Sequence, residues 1–560
     1  MTPPERPSAS SPQPPLLVLG LDGASFDVIE PLARAGRLPN LAAWVARGTR
    51  APLPSTVPAM SFPAWSSFLT GLGPGEHGLF DFTQRLPGAY RLRFTNATDR
   101  AGETLVDRVG RAGGSVLCLG VPATFPPERV PGLVVAGFDA PVSAGSDRSR
   151  ASDPVLYDAV AARAGPWMRH ELDEGATAPG WHERAADLLV ARVARKQAFA
   201  LEALDALRRA GRAPTLICVV FSESDTVAHH FWRDHDPGSP RRDPAASARR
   251  RGALAAVYEA LDAACGALRE AVGPDAACVV LSDHGSGGAA RAVVHLNARL
   301  AECGLLRRRR EGRRAADALA RRARDAALRT LPPRVVERVF RRARGAAAAL
   351  ESAARFGGFD WERTAAFSEE ANTQPGVWLN LRGREARGCV APAHAERVRR
   401  EVIEALLDWK LPDGAPVVAR ARPREEVYAG PFVARAPDVV VELALERGYA
   451  LSLVPTPWDE TKPTSLRVLG EHELAGGRGR GTNGAHRPDG VWIADGHGAP
   501  GLAPGASLVD VAPALLGALG LPFGADRGCG GGPSATAARP YTAAEEAAVR
   551  ARLRALGYLE

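Results

Sequence analysis

Short apolar runs recur along the first half of the chain, each bounded by polar or glycine residues. Runs of this kind are typical of parallel strands that are buried on both faces. Stretches of helical character lie between them, such as Arg195–Arg209 and Ala253–Ala271. The strand-like runs are Leu16–Leu21, Ser115–Gly120, Leu133–Ala136, Thr215–Phe221 and Ala277–Ser282. This alternation predicts an α/β fold with a doubly wound, mostly parallel sheet.

The pattern changes after residue 300. Residues 301–350 have helical character, are rich in arginine and are interrupted by Leu331-Pro332-Pro333. Short strand-like segments dominate from Trp361 to Leu445, and a strand followed by a helix returns between Asp489 and Leu519. We interpret the middle region as an inserted helical and β cap. The predicted divisions are a disordered tail at 1–14, the first part of the α/β core at 15–300, the cap at 301–445, the last part of the core at 446–525, and a C-terminal tail and helix at 526–560.

The charge of the chain is concentrated in one segment. The 560 residues are 45% hydrophobic and 24% charged, which is typical of a globular protein, and carry a net charge of +8. Residues 301–350 hold 15 arginines against five acidic residues, so the positive charge of this segment exceeds the net charge of the whole chain. A nucleic-acid-binding protein carries a broader basic surface, so we expect no nucleic-acid partner. For the arginine-rich segment 307–344 we favour a solvated helical face; the alternative is contact with substrate phosphates or acidic lipid headgroups.

The seven cysteines indicate a reducing compartment. They are scattered and form no Cys-x-x-Cys pair, which argues against a disulfide framework. The N-terminus lacks the basic and apolar regions of a signal peptide. No apolar run reaches about 18 residues, so we expect no transmembrane helix. These features predict a cytoplasmic protein, and they leave its oligomeric state open.

Metal-binding side chains follow the predicted strands. Asp22 closes "VLGLDG", and Asp283 and His284 close "CVVLSDHGSG". Asp225 and His229 lie in "FSESDTVAHHFW", and His486 lies in "TNGAHRPDGVWIA". In open α/β sheets, ligands bind beyond the carboxyl ends of the strands. Each residue alone has a structural explanation, such as a turn at Asp22-Gly23, but together they predict a metal centre.

The residue types suit a pair of divalent cations. Zinc takes nitrogen and oxygen ligands, and three aspartates with three histidines nearly supply two tetrahedral sites. Two metals can stabilise both the attacking and the leaving oxygen of a phosphoryl transfer. Zinc is the expected metal, and manganese is the alternative because three carboxylates are present.

Ser61 begins the stretch "SFPAWSSFLTG", about forty residues after Asp22. A metal ion can lower the pKa of a serine hydroxyl and make it a nucleophile without a histidine base. The structural alternative is a helix N-cap placed before Pro63.

These motifs resemble those of the alkaline phosphatase superfamily. "SFPAWSSFLTG" with "GPGEHGLFDF" is similar to its nucleophile helix, "DTVAH" and "SDHG" to its paired ligands, and "GAHRPDG" to its late histidine. The resemblance runs from about Leu16 to Leu521. It is nearest to the type I phosphodiesterase/nucleotide pyrophosphatase branch and its bacterial phosphohydrolase/phosphomutase relatives. It implies one metal at Asp225, His229 and His486, a second at Asp22, Asp283 and His284, and attack on phosphorus by Ser61. Water at the first metal would then cleave the phosphoseryl intermediate.

Two positions depart from related enzymes. The phosphodiesterase branch usually has asparagine three residues after the nucleophile, where this chain has Ala64. Sulfatases make formylglycine at a motif that ends in arginine, and Trp65 replaces that arginine here. An unmodified serine therefore suits phosphoryl transfer better than sulfate-ester cleavage.

The sequence thus predicts a two-metal phosphohydrolase that cleaves a small phosphate mono- or diester, nucleotide-type or related. A metal-dependent phosphomutase and a non-catalytic binding protein with the same fold are the alternatives. We expect a structural role for His77, and a supporting or surface role for His230 and His235. Two loops, Phe125–Val130 and Gly137–Ser143, are candidates for lining the substrate pocket.

Overall fold

The computed structural model describes most of the α/β core and of the predicted cap. The predicted tail 1–14 and nearly all of the arginine-rich segment 307–344 lie outside the described residues. The described residues are 15–86, 88–140, 147–167, 180–273, 276–309, 356, 358–371, 373–458, 463–474, 481–523, 541, 545–546, 548–550 and 553.

Eighteen strands lie in this part of the chain. They are β1 Leu16–Leu21, β2 Thr49–Pro54, β3 Thr83–Arg85, β4 Leu92–Phe94, β5 Val116–Leu119, β6 Gly132–Val135, β7 Leu216–Phe221, β8 Cys278–Leu281, β9 Gly285–Val294, β10 Ala366–Phe367, β11 Gly376–Leu379, β12 Val418–Pro423, β13 Val439–Leu443, β14 Leu445–Glu446, β15 Tyr449–Leu453, β16 Leu466–Val468, β17 Gly484–Arg487 and β18 Asp489–Asp495.

The described residues also form thirteen α-helices. They are α1 Phe26–Arg34, α2 Pro39–Arg47, α3 Ser61–Thr70, α4 Pro74–His77, α5 Leu105–Arg111, α6 Pro154–Ala164, α7 Trp181–Arg209, α8 Glu223–His235, α9 Ala248–Val272, α10 Leu296–Glu302, α11 Ala395–Leu407, α12 Arg424–Val427 and α13 Val511–Ala518. None of the helices described is both long and apolar enough to cross a membrane.

A seven-stranded sheet forms the centre of the molecule, in the order β2-β18-β8-β1-β7-β5-β6. Strands β8, β1, β7, β5 and β6 run parallel to their neighbours, and β18 runs antiparallel to β8 and β2. The predicted fold, an α/β sheet that is mostly parallel, is therefore confirmed.

Side chains of the central strands alternate between two cores because successive residues of a strand face opposite sides. In β1, Leu17, Leu19 and Leu21 enter the core that is shared with α7 and α9. Leu16 and Val18 enter the opposite core, which also holds residues of α3 and α13. Burial on both faces explains why these strands are continuous apolar runs.

The second part of the molecule has its own core. Strands β10 to β13 form an antiparallel sheet, and α11 packs on it through Val398, Val402 and Leu406. The prediction of mostly short strands between Trp361 and Leu445 therefore missed a helix of 13 residues. Strand β9 connects the two parts, since it starts beside the central sheet and its later residues join this second core.

The hairpin β3–β4 also fastens the two parts together. Arg85 in β3 is buried, pairs with Glu385 at 2.6 Å, and stacks over the Trp378 ring at 4.2 Å. A guanidinium that is both paired and stacked is fixed in position. The hairpin that follows α3 is thus tied to the second part.

We predict that Gly20→Ala destabilises the protein by about 1–3 kcal/mol, the usual cost of overpacking a core. A Cβ on this β1 residue would lie 2.6 Å from Trp65 Cη2 and 2.8 Å from Val220 Cγ2. Urea unfolding at fixed pH measures the effect. Gly252→Ala in α9 is the matched control, because its Cβ meets no atom within 4 Å, and it should gain up to about 1 kcal/mol. Equal midpoints for the two variants would contradict the prediction.

Candidate active site

Three neighbouring strands bring the predicted ligands together. Strands β8, β1 and β7 lie side by side in register and end at the same edge of the sheet. Asp22 follows β1, and its backbone N–H donates to Phe221 O at 3.0 Å. Asp283 and His284 follow β8, and α8 begins directly after β7. The carboxyl edge of the sheet is therefore where the acidic and imidazole groups meet.

Asp225, His229 and His486 form a first group. One turn of α8 carries Asp225 and His229, and β17 supplies His486 through its antiparallel pairing with β9. His229 Nε2 lies 3.2 Å from Asp225 Oδ1 and 3.0 Å from His486 Nε2. Their ligand atoms all fall within 4.8 Å of one another.

Asp22, Asp283 and His284 form a second group with the same spacing. His284 Nε2 lies 3.4 Å from Asp283 Oδ2 and 3.6 Å from Asp22 Oδ1. All three side chains are fully buried. The structure therefore divides the six predicted residues into the same two groups that the resemblance implies.

Backbone carbonyls fix the three imidazole rings. His229 Nδ1 donates to Gly484 O at 3.0 Å, His486 Nδ1 to Ala59 O at 2.8 Å, and His284 Nδ1 to Gly285 O at 3.0 Å. A carbonyl only accepts hydrogen bonds, so the neutral rings carry their proton on Nδ1 and turn the Nε2 lone pairs inward. The inward-facing lone pairs of His229 and His486 suit a bound cation.

Charge in this site is unbalanced without a cation. Burial, and then the charges of Asp283 and Asp225, raise the pKa of Asp22 well above its ordinary value. Burial also raises the pKa of Asp283, and neither its Oδ2 nor His284 Nε2 has a hydrogen-bond partner among the described residues. Burial acts to raise the pKa of Asp225, but the charge that His229 carries when it is protonated holds this pKa well below its ordinary range. Two divalent cations would fit the donor set and offset the repulsion of the carboxylates.

Ser61 lies beside the second group. It is the first residue of α3, and its buried hydroxyl donates to Asp22 Oδ1 at 3.4 Å. Met60, in extended conformation, is the N-cap of this helix. The structural alternative of Ser61 as N-cap is therefore wrong, and its hydroxyl faces the second group of candidate metal ligands.

Two further residues hold Asp22, a glycine next to it leaves room for Asp225, and the sequence analysis missed these contacts. Trp65 Nε1 donates to Asp22 Oδ2 at 3.3 Å, and Ser224 Oγ donates to Asp22 O at 2.6 Å. Gly23 has a φ of +65°, and a Cβ there would lie 2.9 Å from Asp225 Oδ1. Only the glycine had a signal in the sequence, as the second residue of an Asp-Gly turn.

A buried ionic cluster supports the start of α8. Glu223, two residues before Asp225, accepts a hydrogen bond from Lys196 Nζ at 3.0 Å and forms an ion pair with Arg192, whose Nε lies 3.2 Å from Oε1. Both cations come from α7 and are buried. Burial acts to raise the pKa of Glu223, but Lys196 and Arg192 hold it below its ordinary value.

The other candidates have structural contacts. His77 is buried, its Nε2 lies 3.1 Å from Ser67 Oγ, and burial with the nearby charge of Arg100 lowers its pKa to about 3. His230 packs against the Trp181 ring at 4.6 Å. His235 packs against Trp232, with their ring centroids 6.2 Å apart.

Both candidate loops contact Tyr541, a described residue near the C-terminus. Phe125 stacks on Tyr541, and Tyr541 Oη donates to Asp139 O at 3.3 Å. Val549 and Leu553 share a core with Phe62, the residue after Ser61. The described C-terminal residues Val549 and Leu553 therefore pack beside α3, while residues 141–143 of the second loop lie outside the described part.

A family model for type I phosphodiesterase / nucleotide pyrophosphatase matches residues 16–456. The chain belongs to this family. The resemblance inferred from the motifs is confirmed, and membership places the chain among the phosphoric ester hydrolases. No curated relative matches the sequence.

Two solved structures, both of one enzyme, show the same fold. Phosphonoacetate hydrolase from Sinorhizobium meliloti 1021 in complex with phosphonoacetate is 16% identical, with a TM-score of 0.53 over 91% of this chain and 96% of that chain. Its complex with phosphonoformate gives a TM-score of 0.52 at the same identity and coverage. Human ectonucleotide pyrophosphatase/phosphodiesterase 5 is 11% identical, with a TM-score of 0.44 over 91% and 95% of the two chains. The chain therefore shares the fold of phosphonoacetate hydrolase.

We predict that, in chelator-treated protein, Asp22→Asn gains stability over wild type as pH rises above about 4. The pKa of Asp22 is raised in the folded state, so folding takes up a proton and wild type loses stability as pH rises through this range. The difference should grow by about 1.4 kcal/mol for every pH unit between the ordinary pKa and the raised one. Urea unfolding between pH 4 and 8 measures it.

The exposed Asp27→Asn variant controls for simple loss of a charge. A difference between Asp22→Asn and wild type that does not change with pH would contradict the raised pKa.

Proposed function

We propose that this protein hydrolyses a phosphate mono- or diester with two divalent cations and a phosphoseryl intermediate on Ser61. The observation that carries the proposal is the arrangement of a buried serine beside two groups of three ligands. Asp225, His229 and His486 would hold one cation, and Asp22, Asp283 and His284 the other. Family membership supports the class of reaction.

The residues of the chain have distinct tasks in this reaction. Bound cations would screen the phosphoryl oxygens and lower the pKa of the serine hydroxyl. Ser61 Oγ forms a bond to phosphorus as the bond to the leaving oxygen breaks. Water then attacks phosphorus, the Ser61 Oγ–phosphorus bond breaks, and a proton from the water restores the serine hydroxyl. The product is phosphate from a monoester, or a phosphate monoester from a diester. Asp22 Oδ1, which lies 3.4 Å from Ser61 Oγ, keeps the hydroxyl directed into the site.

The ligand types indicate which metal the site would bind, and the family indicates the chemical class of the substrate. Mixed carboxylate and imidazole ligands favour zinc, with manganese as the second choice. Ala64 offers no side-chain donor to a phosphate oxygen, so this position does not select nucleotide-type esters. The proposed substrate class therefore includes both nucleotide-type esters and related small esters. The phosphonoacetate hydrolase neighbour binds a small phosphonate, which supports a small-molecule substrate.

We also propose that the enzyme works in the cytoplasm. The six cysteines in the described part of the chain are all free thiols, and four of them are buried. Free thiols of this kind are typical of a reducing compartment.

We predict that Ser61→Ala lowers turnover by about 10³-fold or more, because the covalent route is lost. Ser66→Ala, in the same helix, is the matched control and should keep turnover near wild type. Ser66 is equally buried, and its hydroxyl has no hydrogen-bond partner among the described residues. Steady-state kinetics with rapid quench and mass spectrometry measures turnover and phosphate on Ser61. Wild-type turnover in the Ser61→Ala variant would refute the proposed role of Ser61 as nucleophile.

Purified wild type should bind about two divalent ions per chain, measured by inductively coupled plasma mass spectrometry. His229→Ala and Asp283→Asn should each leave about one ion, because each removes a ligand from one group only. Assays with a chromogenic monoester and a diester then define the substrate class. Phosphoryl transfer to a second substrate hydroxyl, rather than to water, would identify a phosphomutase. Wild type with no bound ion would refute the metal-dependent mechanism.

A further inference from the structure

Trp65 has a fixed place beneath the second group. Its side chain is fully buried in the core on one face of β1. Gly20, two residues before Asp22, makes room for the ring, since a Cβ there would lie 2.6 Å from Trp65 Cη2. The Phe68 ring packs edge-on at 5.3 Å. The indole therefore has little freedom to turn, and the direction of its N–H is set by packing.

The indole N–H bonds only one of the two carboxylate oxygens of Asp22, so the two oxygens have different environments. It donates to Oδ2 at 3.3 Å, and an indole has this single donor and no acceptor. The other oxygen, Oδ1, lies 3.4 Å from Ser61 Oγ and 3.6 Å from His284 Nε2. One carboxylate oxygen is thus bound to the core, while the other faces the nucleophile and the second group.

Ser61 and Trp65 lie on the same face of α3. They are four residues apart, so one helical turn separates them. The nucleophile and the donor to Asp22 therefore move together if the helix shifts. This coupling links the position of Ser61 to the orientation of a ligand of the second group.

We propose that Trp65 is a positioning residue for the second cation site, where its N–H holds Asp22 with Oδ1 directed at the metal and at Ser61. The inference rests on the two-metal function proposed above. Hydrogen bonds to metal ligands orient them, and their loss typically weakens metal binding 10- to 100-fold. A residue that only fills the core would not affect one cation site selectively.

The test compares Trp65→Phe with Trp492→Phe. Both tryptophans are buried in the same core, but Trp492 Nε1 has no hydrogen-bond partner among the described residues. Chelator-treated full-length protein is titrated with Zn²⁺ by isothermal calorimetry. We expect two sites in wild type and in Trp492→Phe, and one site weakened 10- to 100-fold in Trp65→Phe. Thermal unfolding of the metal-free variants measures the packing cost separately.

A second variant removes only the N–H. Benzothienylalanine at position 65 keeps the bicyclic ring and replaces the nitrogen with sulfur, so it serves if Trp65→Phe does not fold. It should also weaken one site. Two sites of wild-type affinity in either folded variant would overturn the role of Trp65 while leaving the two-metal function intact. Fewer than two sites in wild type would overturn both.

Discussion

Three carboxylates buried in one small space are the constraint on which this site depends. Asp22, Asp225 and Asp283 sit close enough to influence one another's pKa, and none is exposed by more than 4%. Like charges in a low-dielectric interior repel strongly, so such a cluster is stable when cations or protons compensate it. The inward-turned Nε2 atoms of His229, His284 and His486 add donors that also suit cations. The folded protein therefore contains unfavourable repulsion between carboxylates, and bound cations would reduce this repulsion.

The fold holds this cluster by connecting distant parts of the chain. Neighbouring strands β1, β7 and β8 supply two aspartates directly and the start of α8, while β17 must pair with β9 to bring in His486. His229 and His486 are each fixed by a backbone carbonyl from a distant segment, whereas His284 is fixed by the carbonyl of the next residue. Ser61 is supplied by α3, which packs on the face of the central sheet that Leu16 and Val18 also face. The site therefore forms only when the sheet, α3 and β9 have all packed together.

Local patterns in the sequence predicted the strands and the clustering of the candidate ligands, whereas features that depend on tertiary contacts were missed. Buried parallel strands and the polar residues at their ends are local patterns, so Asp22, Asp283 and their strands could be predicted. Strand β9 could not, because its opening "GSGG" is typical of a loop. Its glycines are required by tertiary contacts: a Cβ on Gly285 would lie 2.2 Å from Asp489 O, and one on Gly288 2.8 Å from Tyr449 Cδ1. Trp65 was noticed only as a missing arginine, since its contact with Asp22 depends on how α3 crosses β1.

The two ligand groups differ in their access to solvent, and this difference bears on the order of events. Ser61 and all of the second group are fully buried, whereas His229 is 8% exposed and the side chain of His486 is 16% exposed. In the proposed mechanism, a substrate would therefore approach from the side of the first group, which is the more exposed one. Ser61 would attack phosphorus from the buried side, where side chains fill the space around its hydroxyl. Water would reach the proposed phosphoseryl group from the more exposed side, so the difference in burial is consistent with a serine step followed by hydrolysis.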